Sequence, residues 1–168
     1  TDRRLRTLKQ LGADFAVHEQ GIRDTVRHVL LPLWNSWYFL ALYANAAEHR
    51  GVIRTDSTNA LDQYVLSKTR GLVGEVTAAL DEYDLFAACQ HVRVYLDVLT
   101  NWYVRRSRSR FWQGDHEAID TMHTVLDVVT RLLAPLLPLV TEAIHRGMHD
   151  DADSVHLTDW PTVDELPA

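Results

Sequence analysis

One cysteine, Cys89, is all that 168 residues contain. A lone thiol excludes an internal disulfide framework and a cysteine-based zinc cluster. It fits a reducing compartment, so a cytoplasmic protein is expected. Seven glycines and five prolines are too few for a loop-rich or low-complexity chain. The longest nearly unbroken apolar run, Leu132 to Val140, has nine residues. A helix that crosses a bilayer needs roughly 20, so no membrane contact is expected. No apolar leader precedes Asp2, Arg3 and Arg4, and a secretory signal is not expected. Phosphate-cradling and nucleophile motifs are missing too: GxxxxGK[ST], GxGxxG and GxSxG do not occur.

Net positive charge is also lacking. Lys plus Arg is 17 against 23 for Asp plus Glu, a net charge of −6, which excludes binding to nucleic acid by bulk charge alone. The distribution is uneven. Residues 1–54 hold eight basic and five acidic side chains, residues 55–114 seven and seven, and residues 115–168 two and eleven. The excess negative charge therefore sits in the last third. Screening confines such effects to about 8–10 Å at physiological salt, so an anion site elsewhere is permitted.

What is present is core-forming and helical. The apolar fraction is 46%, enough to fill one domain core. After a polar lead-in over residues 1–20, Ile22, Val26, Val29, Leu33, Trp37, Leu40 and Ala44 recur at spacings of three and four. Pro32 is expected to kink this helix without stopping it. Trp34 and Trp37 are expected in the core. Residues 47–58 read as a loop. A second helix opens at Thr58 or Asn59, with Asp62 at the positive end of its dipole and Leu61, Val65, Leu72, Val76, Ala79 and Tyr83 as its buried stripe. Gly71 and Gly74 are expected to admit a neighbouring helix. A third helix runs from Asp84 to about Phe111, with Val92, Leu96, Leu99 and Tyr103 inward and Cys89 as a buried thiol. A fourth starts at Asp115, carries Ile119, Met122, Leu126, Val129 and Leu133, and must break at Pro135 and Pro138. Residues 149–168 read as an acidic tail, with Trp160 packed back on the bundle. Four long amphipathic segments, no period-two alternation and no internal repeat predict an all-α antiparallel bundle over residues 21–148.

Two clusters could bear chemistry. His145 and His149 are four apart and precede Asp150, Asp151 and Asp153, a spacing that could hold a metal on one helix face. No HExxH surrounds them, and the acidic run lacks the glycine and distal glutamate of a calcium loop. A helix terminus with a solvated acidic loop is the expected reading, with no metal. The second cluster is Asn101-Trp-Tyr-Val-Arg-Arg-Ser-Arg-Ser-Arg-Phe-Trp112. Arginine offers bidentate hydrogen bonds to phosphate, and indoles offer stacking faces. At about 100° per residue, Arg105 and Arg108 share a side with Asn101 and Trp112, whereas Arg106 and Arg110 follow the side of Tyr103. Two readings stay open for Arg106 and Arg110: internal partners of carboxylates, or ligand contacts.

These segments resemble a known family. Leu61-Asp-Gln-Tyr-Val-Leu-Ser-Lys68, Leu80-Asp-Glu-Tyr-Asp84, the arginine run and Ala134-Pro-Leu-Leu-Pro-Leu-Val-Thr-Glu142 follow, in order, the helical anticodon-binding domain of class I aminoacyl-tRNA synthetases. The arginine run and Ser154-Val-His-Leu-Thr-Asp-Trp-Pro161 narrow the resemblance to the isoleucyl enzymes. Glu142-Ala-Ile-His145 departs from it, since the family usually has two acidic residues and then Ile-Trp. The resemblance implies binding of the anticodon stem-loop of isoleucine tRNA, with Arg105, Arg106, Arg108 and Arg110 as phosphate or base contacts, Trp112 as a stacking face and Lys68 and Arg70 as further contacts. It implies the remainder of a synthetase as a second partner. HIGH-like and KMSKS-like motifs do not occur here, so no cofactor is expected in this chain, ATP and Mg belonging to the parent enzyme's catalytic domain. The rival reading is a protein-interaction bundle whose acidic last third docks a basic partner. A metal hydrolase built on His145, His149 and the aspartates is a third.

Overall fold

A computed structural model describes residues 19–150 and 153–167. Among these residues the regular structure is helical throughout. Four rods form the bundle. The first joins α1 (Glu19–Thr25) to α2 (Leu31–Ala46) through a π-helical turn, Val26–Leu30. The second is α3 (Ala60–Asp81). The third joins α4 (Leu85–Asp97) to α5 (Arg105–Trp112) through another π turn, Val98–Val104. The fourth comprises α6 (His116–Leu133) and α7 (Pro138–Met148). Short 3₁₀ turns at Val155–Leu157 and Val163–Glu165 follow. Most of the lead-in lies outside the described residues.

The caps follow the local chemistry. Asn59 accepts from the Leu61 N–H, Asp84 from Ala87, and Asp115 from Glu117 and Ala118. Pro32 does not interrupt the first rod. The π turn lies just before it, and the Leu31 N–H reaches back to the Val26 carbonyl. This longer hydrogen bond absorbs the crowding that proline imposes on the preceding turn. Pro135 and Pro138 do break the fourth rod. Leu133 O accepts from both Leu136 and Leu137, closing a turn that starts α7 in a new direction.

The central element is α6. Every residue from Ala118 to Leu133 is buried except Arg131, so it is wrapped on all sides rather than along one stripe. Its polar residues tie down the connection between α2 and α3. Asp120 accepts from the Val52 N–H at 3.1 Å and pairs with His49 at 2.7 Å. Thr124 Oγ1 accepts from the Arg54 N–H and donates to the Arg54 carbonyl. Glu117 accepts from the Thr58 N–H. Phe39, Tyr43 and Phe111 form an aromatic cluster with centroids 4.7–6.0 Å apart, which fixes α5 against α2.

Several expected core positions differ. Tyr83 is 91% exposed, because it occupies the α3–α4 turn at φ 60°. Ile22 and Trp34 are exposed on the first rod, and Trp37 is half-buried. Cys89 is exposed, on the outer face of α4. A side chain at Gly71 would meet nothing within 4 Å, so no close approach requires that glycine; Gly74 faces Val163 of the C-terminal segment, not a long helix. That segment wraps α3. Trp160 Nε1 donates to Thr77 Oγ1 at 2.9 Å, Arg70 donates to the Leu166 carbonyl, and Leu166 is buried.

Candidate nucleic-acid interface

The arginine run begins at the end of the π turn. Its i→i+5 hydrogen bonding advances fewer degrees per residue than an α-helix does, so faces drawn at α-helical spacing drift across it. Tyr103 remains buried, but Arg106 turns outward. Arg105, Arg106 and Arg108 are exposed and form no ion pair among the described residues. Trp112 is 80% exposed at the end of α5.

Arg110 is different. Its Nη1 and Nη2 donate to the two oxygens of Asp62 at 2.7 and 2.9 Å, and its Nε donates to Asp115 at 2.7 Å. Asp62 has no exposure and also accepts from Tyr103 Oη and Ser57 Oγ, each at 2.9 Å. Burial opposes the charge on Arg110, but both carboxylates outweigh it and hold the guanidinium protonated. Burial likewise opposes ionisation of Asp115. Arg110 and the backbone donors of α6 win, and its carboxyl lies below the ordinary range. Arg110 is thus the internal partner that one sequence reading allowed. Three of its five N–H donors are spent inside the fold, two of them on the buried Asp62.

The other cations sort by side. Arg106 lies over the Trp102 ring, 5.3 Å from its centroid; Trp102 tilts against Tyr64 at 4.3 Å, and Lys68 lies 5.5 Å over Tyr64. A ladder of two rings with a cation at each end therefore bridges the π turn and α3. Arg105 and Arg108 face the opposite side, where they line a hollow with Asn35, Ser36, Phe39 and Thr100. Asn35 and Thr100 also line a cleft of about 750 Å³ between the first and third rods. Arg27 and Arg93 stand on that cleft, with Asp97 as an acidic neighbour. Arg70 lies apart, held by the C-terminal segment.

Sequence reasoning did not single out Arg27, Arg93 or Tyr64, and took Trp102 only as one of the two indoles that bracket the arginine run. The ladder had a signal: Tyr64 and Lys68, like Trp102 and Arg106, are four residues apart and share a helix face. The cleft had none, because Arg27 and Arg93 meet only through packing of separate rods.

The acidic last third spends much of its charge on basic groups of the chain itself. Asp115, Asp120, Asp127, Glu142 and Glu165 are each held by an internal basic group, and Asp150 pairs with Arg50. His145 and His149 do stand at a helix terminus, the last turn and C-cap of α7, but they turn inward. His145 is buried, and His149 Nε2 lies 2.9 Å from Asp127 of α6.

Residues 62–167 match the family described as the anticodon-binding domain of tRNA ligase. Over 157 residues the chain is 56% identical to the isoleucine–tRNA ligase of Mycobacterium tuberculosis, covering 94% of this chain and 15% of that protein. The corresponding identity is 54% for Nocardia farcinica, and 45% over 160 residues for Bifidobacterium longum. The chain thus spans about 15% of the length of the relatives it matches. Helical architecture, order of motifs and similarity agree: the chain belongs to the anticodon-binding domain family of tRNA ligases.

Proposed function

We propose that this chain is the part of an isoleucine–tRNA ligase that grips the anticodon stem-loop of isoleucine tRNA. The observation that carries the reading is the pairing state of the arginine run. Three of its four guanidiniums are exposed without an ion pair among the described residues, beside an exposed Trp112. Arginine can engage phosphate through two parallel donors, and an unstacked loop base can lie on an indole face. Arg105 and Arg108 act on the side of the cleft with Arg27 and Arg93. Arg106 and Lys68 act on the side of the ladder, their rings limiting how far each cation can swing.

The remainder of the ligase supplies ATP and magnesium chemistry, and this chain alone supports no isoleucine-dependent exchange of pyrophosphate into ATP. Leu31, Trp34, Tyr38 and Leu42 expose one apolar stripe along α2, which suits contact with the rest of such an enzyme. The test is binding of isoleucine tRNA and of a tRNA with another anticodon, each at two salt concentrations. Tighter, salt-sensitive binding of isoleucine tRNA supports the reading. Equal or salt-insensitive binding of both contradicts it.

A further inference from the structure

We propose that Asp127, His145 and His149 form a binding site for one divalent transition-metal ion of the zinc type, clasping α6 to the end of α7. One ligand-capable atom from each residue lies within 4.8 Å of the others. Metal–ligand bonds of about 2.1 Å in a tetrahedron place ligand atoms about 3.4 Å apart, so side-chain adjustment suffices for closure. His149 Nε2 and Asp127 Oδ1 are already at 2.9 Å. His145 and His149 are four residues apart, on the last turn of α7 and its cap, so both imidazoles reach the same side.

A second observation is independent of that spacing. His145 is 5% exposed and His123 7%, and the Nδ1 atom of each is buried without a hydrogen-bond partner among the described residues. Buried polar atoms are rarely left unpaired, because desolvation is then uncompensated. Both orphan nitrogens belong to rings packed on His149, at centroid distances of 4.6 Å for His145 and 5.3 Å for His123. His123, whose ring packs edge-on against His149, is a candidate for a fourth ligand; otherwise that position is open to water beside half-buried His149.

The surroundings favour an ion of this class. Two imidazoles and a carboxylate suit zinc-like ions, whereas calcium and magnesium take oxygen ligands. Arg131 donates to Asp127 Oδ2 at 3.0 Å, which orients the carboxylate and leaves Oδ1 toward His149. The charge of Arg131 is itself matched by Glu165 at 2.6 Å. Among the described residues, Asp150 and Asp153, acids close to the histidines in sequence, do not belong to the cluster. The third ligand comes from α6.

The test uses the chain stripped with a chelator and titrated with Co²⁺ as an optical probe, then with Zn²⁺ in competition. The expected result is saturation at one equivalent, with the visible bands of a four-coordinate, imidazole-bound ion that Zn²⁺ abolishes. His149→Gln should weaken binding by more than about tenfold, the typical minimum for removing even an outer-shell partner. His156→Gln, at an exposed histidine near the start of α7, should leave it unchanged. Asp127→Asn should also weaken binding; if it unfolds the chain by releasing Arg131, the half-buried His149→Gln decides alone, with circular dichroism confirming its fold. Binding that does not saturate at one equivalent, or that His149→Gln leaves within twofold of the parent, overturns the proposal.

Discussion

Asp62 receives four hydrogen bonds, from Ser57, Tyr103 and the two terminal nitrogens of Arg110, with no exposure to water. Removing Arg110 would leave that carboxylate buried with its charge unmatched. Arg110→Ala should therefore cost about 3–5 kcal/mol of stability. Arg105→Ala and Arg108→Ala, at exposed positions, should stay within about 0.5 kcal/mol of the parent. Thermal melting of the three variants measures the split. The local pattern around Asp62 marks it as a first-turn residue favouring the helix dipole. Its partner stands 48 positions away, beyond any periodicity. Glu142 makes a second case. The Arg146 guanidinium beside it, with the Val155 N–H and Ser154 Oγ, pulls its carboxyl down to about 2 from 4.5. A carboxyl lowered in the folded state contributes stability that is complete above its unfolded value and disappears as pH falls through its folded value. Acid melting between pH 4.5 and 2 should thus be shallower for Glu142→Gln than for the parent.

Elements show a similar division between what spacing reveals and what packing decides. The caps at Asn59, Asp84 and Asp115 and the break at Pro135 and Pro138 were legible, because each depends on chemistry within a few residues. The two π turns were not. They shift the faces after them relative to those before. The burial of α6 on every side was also hidden, since Asp120, Thr124 and Asp127 look like a solvent face until Val52, Arg54 and His149 reach them from other elements. Glycines give the sharpest test at this scale. A methyl group at Gly147 would stand 2.5 Å from Trp37 Cζ2, where α7 crosses α2. Gly147→Ala should lower the melting temperature, with a loss of up to about 2 kcal/mol after roughly 1 kcal/mol of helix propensity is regained. Gly71→Ala, at an open helical position, should instead raise stability by up to about 1 kcal/mol.

Across the whole molecule, charge is arranged by use rather than by sum. The acidic last third, which suggested a docking face, spends much of its charge on internal partners. The arginine run divides into one internal anchor and three exposed cations beside Trp112. That division is the central claim, and the salt dependence of binding to isoleucine tRNA tests it most directly. Removing one cation from a phosphate lowers the slope of log affinity against log salt by about one unit. The Arg105→Ala/Arg108→Ala double variant, folded as the parent is, should bind more weakly, with a slope shallower by about two units. A slope unchanged from the parent would contradict the assignment of these two arginines to the RNA.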